Sequence, residues 1–322
     1  MISSISIMIF MKSKSGRTLL VVLGLALFLG LLTYLIVVNQ KRQKPHAIIT
    51  VPTSLAFVLD EAQTFSLDLW LSHQDSFFLT PEAIVSATLT DEDSLDEYRV
   101  EPKKLTVEEN FIKLSKTKYY PARLTLHFPF SSDSPISLKE AKLNLTVGDG
   151  TNLSLPLGSI AFYQGKSRKA FIVNQLLGLT GQLKNQTGLA GVVLQLSSLE
   201  SEIVKITNIE LINATCQINY DYTKIISNSI PETRNVAEII EEEVSLTKRP
   251  KEMSFSLEFA DRETRTVVLP FSYFGQYLTE QAGFIIYYEY LGKPYRQIIE
   301  PITLLHSFEG YDQGVVITYD PN

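Results

Sequence analysis

The chain has 322 residues, of which 45% are hydrophobic and 20% charged, and this length allows two domains of ordinary size. Its formal net charge of −6 argues against a nucleic-acid partner, because neutralising phosphates requires clustered Lys and Arg. The single cysteine, Cys216, excludes an intramolecular disulfide, and with four histidines it cannot supply a zinc framework.

Residues 18–38 form an uncharged apolar run, TLLVVLGLALFLGLLTYLIVV. As a helix this run is roughly 30 Å long, which is the thickness of a bilayer core. We therefore predict a transmembrane helix at 18–40 that contacts the lipid bilayer through residues 18–38. The run is longer than the apolar part of a signal peptide, and no small-residue cleavage site follows it, so an uncleaved anchor is favoured over a cleaved signal.

Three basic residues flank this run on each side, so the positive-inside rule is nearly balanced. The short N-terminal flank and the long C-terminal region favour a cytoplasmic tail at 1–17, a basic neck at 41–46 and extracytoplasmic C-terminal domains at the cell membrane. Translation could start at Met1 or at Met11, since the first ten residues add nothing that a targeting signal needs.

After the neck, apolar and polar residues alternate in short runs, which is the pattern of strands with one buried face. Asp149-Gly150 and Leu291-Gly292 lie between such runs and indicate tight turns. Many short strands and almost no amphipathic helical pattern predict a mainly β body with two tandem antiparallel β-sandwich domains of the immunoglobulin-like kind. The predicted parts are a first domain at 47–165, a glycine-rich linker at 166–190, a second domain at 191–308 and a tail at 309–322.

Segments rich in Ile, Val, Tyr and Phe predict six strands in the second half. They lie at 203–212, 217–222, 254–259, 266–271, 284–290 and 295–304. One segment, 232–244, has apolar residues near a helical period beside a run of glutamates, and it predicts a helix or an acidic loop.

Asp91, Asp93 and Asp96 belong to an acidic run, DEDSLDE, that offers the oxygen ligands preferred by Ca²⁺. The run lacks the glycine of an EF-hand loop, and Leu95 lies among its carboxylates. A solvated loop is therefore the favoured interpretation, with a calcium site at these three aspartates as the alternative. No other metal and no cofactor is predicted.

Aromatic residues are dense between positions 273 and 295. Tyrosine combines apolar area with a hydroxyl group, which suits a recognition surface. The candidate recognition residues are Tyr273, Tyr277, Tyr287, Tyr288 and Tyr290. The alternative is that these rings fill and border the core of the second domain.

No catalytic motif stands out in the sequence. A G-x-S-x-G nucleophile turn is absent, and Gly165-Lys166-Ser167 has Ile160 where a phosphate-binding loop needs glycine. Four N-x-S/T sequons occur, but a lone cysteine favours a bacterial envelope protein, in which modification of these asparagines is an open question. The sequons begin at Asn144, Asn152, Asn185 and Asn213.

The sequence therefore predicts a membrane-anchored, non-catalytic binding or scaffold module of the cell envelope. Its expected partner is another envelope protein or a polymer. Two alternatives are an accessory subunit of a membrane transport or secretion complex and an envelope hydrolase or carbohydrate-active enzyme.

Overall fold

A computed structural model describes residues 25–34, 46–59, 62–92, 94, 96–114, 116–129, 132–183, 186–226, 235–303 and 315–319. Contacts divide the chain into two compact units, Met1–His46 with Thr318–Asn322 and Ala47–Ile317. In the smaller unit, residues 25–34 are helical and exposed. The rest of the predicted span at 18–40 lies outside the described residues, as do neck residues 41–45. Within the described ranges, no helix has both the length and the apolar character needed to cross a membrane.

The described residues between 46 and 164 contain nine strands, and we call this region the first lobe. A 3-10 turn at Phe77–Leu79 precedes the fourth strand. The strands are β1 His46–Thr50, β2 Thr53–Val58, β3 Thr64–Leu71, β4 Ile84–Asp91, β5 Glu97–Val107, β6 Ile112–Leu114, β7 Thr117–His127, β8 Ser132–Val147 and β9 Asn152–Gln164.

The first lobe has immunoglobulin-like topology. Strand β5 pairs with β4 through residues 97–100 and with β7 through residues 101–107, so it belongs to both sheets. One sheet has the order β1-β3-β7-β5, and the other has the order β5-β4-β8-β9-β2. These orders match the A-B-E-D and C-F-G sheets of immunoglobulin domains.

Nine further strands lie in the part of 171–303 that the structure describes, and we call this region the second lobe. A 3-10 turn at Tyr220–Tyr222 and a short helix at Val236–Ile240 lie between them. The strands are β10 Phe171–Leu183, β11 Gln186–Ser198, β12 Val204–Ile212, β13 Cys216–Ile218, β14 Lys224–Ile226, β15 Leu257–Phe259, β16 Thr264–Tyr273, β17 Gln281–Tyr290 and β18 Lys293–Thr303. A last strand, β19 Val315–Tyr319, is next to β1 in the sheet order.

The second lobe repeats the same pattern of pairing. Its sheets have the orders β10-β11-β16-β13, with β14 also on β16, and β15-β12-β17-β18. The positions of β10, β11 and β16 correspond to A, B and E, and those of β12, β17 and β18 correspond to C, F and G. The predicted mainly β, immunoglobulin-like architecture is thus confirmed, while the predicted domain limits stay a prediction.

The segment 166–190, predicted as a linker, contains β10 and the start of β11 rather than a loop. Neighbouring side chains leave little room for a Cβ atom at the glycines of this segment. A Cβ atom on Gly181 would lie 2.5 Å from the Cβ of Ala190, and one on Gly178 would lie 2.8 Å from the Leu189 side chain. The glycine content therefore reflects close packing in a sheet. In the sequence alone, the same glycines indicate a flexible linker.

The two predicted tight turns are present. Asp149-Gly150 lies between β8 and β9, with Gly150 at a φ of 88°. Leu291 and Gly292 alone join β17 to β18, at φ values of 50° and 72°. Two central residues with positive φ make this second turn type I′, whose twist suits a hairpin.

The lobes share an interface along the second half of β9. Ile160 and Phe162 face the core of the first lobe, where the Phe162 ring stacks on Phe128 with centroids 4.4 Å apart. Ala161 and Tyr163 face the other way, into an apolar cluster with Ile212 and Ile285 of the second lobe. A strand that is covered on both faces needs a continuous apolar run, and this explains why the alternation in β9 ends near Leu157.

Backbone and side-chain hydrogen bonds fix this interface. Ser54 of β2 donates its N–H to the Leu278 carbonyl at 2.8 Å, and its own carbonyl accepts from Glu280 N at 2.9 Å. The Asn213 side-chain oxygen accepts from the Ser54 hydroxyl at 3.1 Å and from the N–H groups of Thr215 and Cys216 at 2.8 and 3.1 Å. Because every bond is buried or partly buried, loss of one partner would leave a desolvated polar group unpaired.

Gly158 lies where β2 meets β9, and we predict that Gly158→Ala is much more destabilising than Gly150→Ala. Both glycines have a φ of 88°, but a Cβ on Gly158 would lie 2.2 Å from the Thr53 carbonyl oxygen, whereas nothing lies within 4 Å of one on Gly150. We expect a loss of about 1–2 kcal/mol for Gly150→Ala from backbone conformation alone and about 3 kcal/mol or more for Gly158→Ala. Urea unfolding measures both, and equal losses would contradict the packing shown for β2 and β9.

Candidate functional site

Three exposed aliphatic side chains lie at one end of the second lobe, which we call the loop end. Leu199 and Ile203 belong to the loop between β11 and β12, and Leu291 belongs to the turn between β17 and β18. Their exposed fractions are 49%, 62% and 69%. The pairing of Val204 with Tyr290 brings the loop and the turn together. In immunoglobulin variable domains the corresponding B–C and F–G loops form part of the antigen-binding end.

A network of charged and aromatic side chains packs next to the loop end and holds it in place. The Arg168 guanidinium lies over the rings of Tyr290 and Tyr295, 5.0 and 4.4 Å from their centroids, and it forms an ion pair with Glu200 at 2.9 Å. Glu200 follows Leu199 directly, so this ion pair holds the loop against the hairpin. Desolvation, followed by a hydrogen bond to Glu200, raises the pKa of Tyr290, so its phenol stays neutral and can donate that bond.

The Leu291 backbone has a φ of 50°, in the left-handed region. Gly, Asn and Asp adopt this region readily, but bulky residues rarely do. Burial does not compensate for this backbone strain, because the Leu291 side chain is among the most exposed apolar groups described. Residues held in rare backbone conformations often lie at sites of function. A leucine that is both strained and exposed therefore marks the hairpin turn as the strongest candidate for contact with a partner.

The five tyrosines predicted as a recognition surface are not brought together. Tyr273 and Tyr288 are buried in the core of the second lobe, where they donate to the carbonyl groups of Leu189 and Arg168. Tyr277 and Tyr287 are half-buried near the interface and donate to Glu140 and Glu210 at 2.6 and 2.7 Å. Only Tyr290 belongs to the loop end.

Burial is the main influence on the ionisation of these phenols. Desolvation and the adjacent Glu140 carboxylate raise the pKa of Tyr277 to about 12. Desolvation also raises the pKa values of Tyr273, Tyr287 and Tyr288. Their hydroxyl groups therefore act as neutral hydrogen-bond donors in the folded protein, which is a structural role.

Two of the three predicted calcium ligands, Asp91 and Asp96, share hydrogen bonds in one turn. The buried Asp91 carboxylate accepts from the Glu140 N–H and from the Ser94 hydroxyl, both at 3.0 Å, and the same hydroxyl also contacts Asp96 at 2.8 Å. Asp93 lies outside the described residues. Within the described ranges, no group of three or more His, Cys, Asp or Glu side chains is arranged to hold a metal ion.

The sequons and the cysteine lie in different environments. Asn213 is buried in the interface, whereas Asn152 is exposed and Asn144 half-exposed, and Asn185 lies outside the described residues. Cys216 is buried, and desolvation raises the pKa of its thiol to about 12. A thiol in this environment packs as a small core residue and does not ionise near neutral pH.

No protein-family model and no curated protein matches the sequence. Solved structures with some similarity include a titin fragment, which is 10% identical and covers 79% of this chain and 97% of its own at a TM-score of 0.19. The C-terminal domain of the AgI/II polypeptide BspA of Streptococcus agalactiae is 9% identical, with coverage of 81% and 100% and a TM-score of 0.19. A mutant of the enterotoxigenic E. coli adhesin CfaE is 9% identical, with coverage of 86% and 87% and a TM-score of 0.19. These values are too low to support an argument, so the fold assignment rests on strand order.

We predict that Leu291→Asn stabilises the protein. Asparagine tolerates a positive φ and is favoured before glycine in a type I′ turn, so the free energy of unfolding should rise by about 0.5–1 kcal/mol. Gly292→Ala, at a φ of 72°, should have the opposite effect. Urea unfolding of both variants checks the pair, and a loss of stability in Leu291→Asn would show that the leucine itself stabilises the turn.

Proposed function

We propose that this protein is a membrane-anchored, extracytoplasmic and non-catalytic module that binds another envelope protein through the loop end of its second lobe. The observation that carries the proposal is the strained and exposed Leu291, next to exposed Ile203. Selection for stability alone favours asparagine or glycine at this turn position, so a leucine there is explained best by a contact that buries it.

The chemistry of the loop end favours a protein partner with an apolar patch. Leu199, Ile203 and Leu291 are aliphatic, and each gains about 1.5–3 kcal/mol when fully buried against apolar groups. The polar groups beneath them, Arg168 and Glu200, are already paired with each other. An apolar patch whose neighbouring polar groups are already paired can be buried by a partner without leaving a charge unpaired.

The predicted helix at 18–40 supports the membrane part of the proposal. The uncharged run at 18–38 is long enough to span a bilayer core, and the long region that follows it can be translocated largely regardless of its charge. Anchoring places the loop end near other proteins of the same membrane surface.

Cysteine labelling of the full chain in spheroplasts of its source cells tests both parts. The native Cys216 is buried, so an introduced thiol is the only reactive one. Leu291→Cys probes the loop end, and Val85→Cys is the matched control because Leu291 and Val85 are both 69% exposed. We expect a membrane-impermeant maleimide to label Val85→Cys as fast in spheroplasts as in purified protein, but to label Leu291→Cys at least about tenfold more slowly in spheroplasts.

Position 85 tests the extracytoplasmic location, and position 291 tests the partner at the loop end. An unlabelled Val85→Cys in intact spheroplasts, with labelling after lysis, would contradict the extracytoplasmic location. Equal labelling of Leu291→Cys in spheroplasts and in purified protein would contradict a partner at the loop end.

A further inference from the structure

We propose that the second lobe forms a two-fold dimer in which residues 172–177 of β10 pair antiparallel with the same strand of a second copy. This proposal is independent of the loop end and of the membrane anchor. It rests on the edge that β10 leaves open and on the composition of that strand.

Strand β10 is an edge strand with one partner over most of its length. It pairs with β11 from Phe171 to Leu183, and among the described residues the backbone pairing on its other side is limited to an isolated bridge between Thr180 and Asn235, although β18 also lies near it, with Ile302 close to Gly178. At its beginning, the buried Gln297 side chain accepts from the N–H groups of Ala170 and Phe171 and donates to the Phe171 carbonyl. Between these two points, no described strand forms backbone hydrogen bonds with the outer edge of β10.

The sequence of β10 lacks the features that normally prevent edge pairing. It reads FIVNQLLGLTGQL, with no charged residue and no proline. Natural edge strands are usually protected by charges, prolines or covering elements. Strand β18, the edge of the facing sheet, reads KPYRQIIEPIT and carries two prolines together with Lys293, Arg296 and Glu300. The lobe thus protects one long edge and leaves the other unprotected.

A second copy is the occupant that this composition fits. In a two-fold arrangement the same strand meets itself, so any charge on it would meet a like charge. A neutral β10 avoids this repulsion even though the whole chain carries a net charge of −6. Exposed Ile172 and half-exposed Leu176 and Leu177 would bury apolar area across the new pair. Pairing would also extend the sheet β10-β11-β16 across both copies.

Ile172→Lys tests the proposal, with Ile225→Lys as the matched control. Ile172 is 49% exposed on β10, and Ile225 is 47% exposed on β14, on the opposite side of β16 from β11. Sedimentation of the full chain in detergent should give a dimer of twice 36.2 kDa. We expect Ile172→Lys to weaken the dimer by about tenfold or more, and Ile225→Lys to leave it unchanged.

Hydrogen exchange provides a second measurement that does not depend on a variant. Amides at 172–177 should exchange more slowly at concentrations where the wild-type chain is dimeric than where it is monomeric. A wild-type chain that stays monomeric up to its solubility limit would overturn the proposal. So would a dimer that survives Ile172→Lys in a protein with an unchanged circular dichroism spectrum, or a dimer without concentration-dependent protection of 172–177.

Discussion

The double-sided burial of β9 is the constraint on which the rest of the larger unit depends. Ile160 and Phe162 complete the core of the first lobe, while Ala161 and Tyr163 complete an apolar cluster with the second. A single strand therefore contributes to the core of the first lobe and to the apolar cluster between the lobes, and displacing it would expose apolar surface on both sides. The buried Asn213 side-chain oxygen accepts from the Ser54 hydroxyl and from the Thr215 N–H. These directional bonds fix the relative position of the two lobes, which apolar contact alone does not define.

The loop end is connected to this interface through a few residues of the β9–β10 connection. Arg168 donates its backbone N–H to the Arg296 carbonyl at 3.0 Å, and its guanidinium supports Tyr290 and Tyr295. The Arg296 guanidinium lies 5.8 Å from the centre of the Tyr163 ring, at the end of β9. The same short segment therefore orders both the contact between the lobes and the platform under the exposed aliphatic residues. Such support by fixed neighbours lowers the entropy lost when a partner binds.

Local patterns predict much of this fold, because period-two alternation and turn residues report directly on single strands. Strands β12, β16, β17 and β18 and the turns at Gly150 and Leu291-Gly292 follow from such patterns. The predicted strand at 217–222 is wrong in its second part, where a 3-10 turn lies at Tyr220–Tyr222. The strand at Phe171–Leu183 did not, since close packing and flexibility both select glycine. The site is less predictable: aromatic density suggested five tyrosines as a surface, but Tyr273 and Tyr288 alternate into the core. The signal that sequence inspection missed is a leucine before glycine in a two-residue hairpin turn.

The two lobes form one cooperative unit through β9, and the chain carries one natural probe in each lobe. Trp70, the only tryptophan, lies in β3 of the first lobe, and Cys216, the only cysteine, lies in β13 of the second. Urea unfolding of the full chain in detergent can follow Trp70 fluorescence and the reactivity of the Cys216 thiol in the same samples. The account predicts coincident midpoints and slopes for the two probes. Two separate transitions would contradict it, because they would show that one lobe keeps its structure after the other has unfolded.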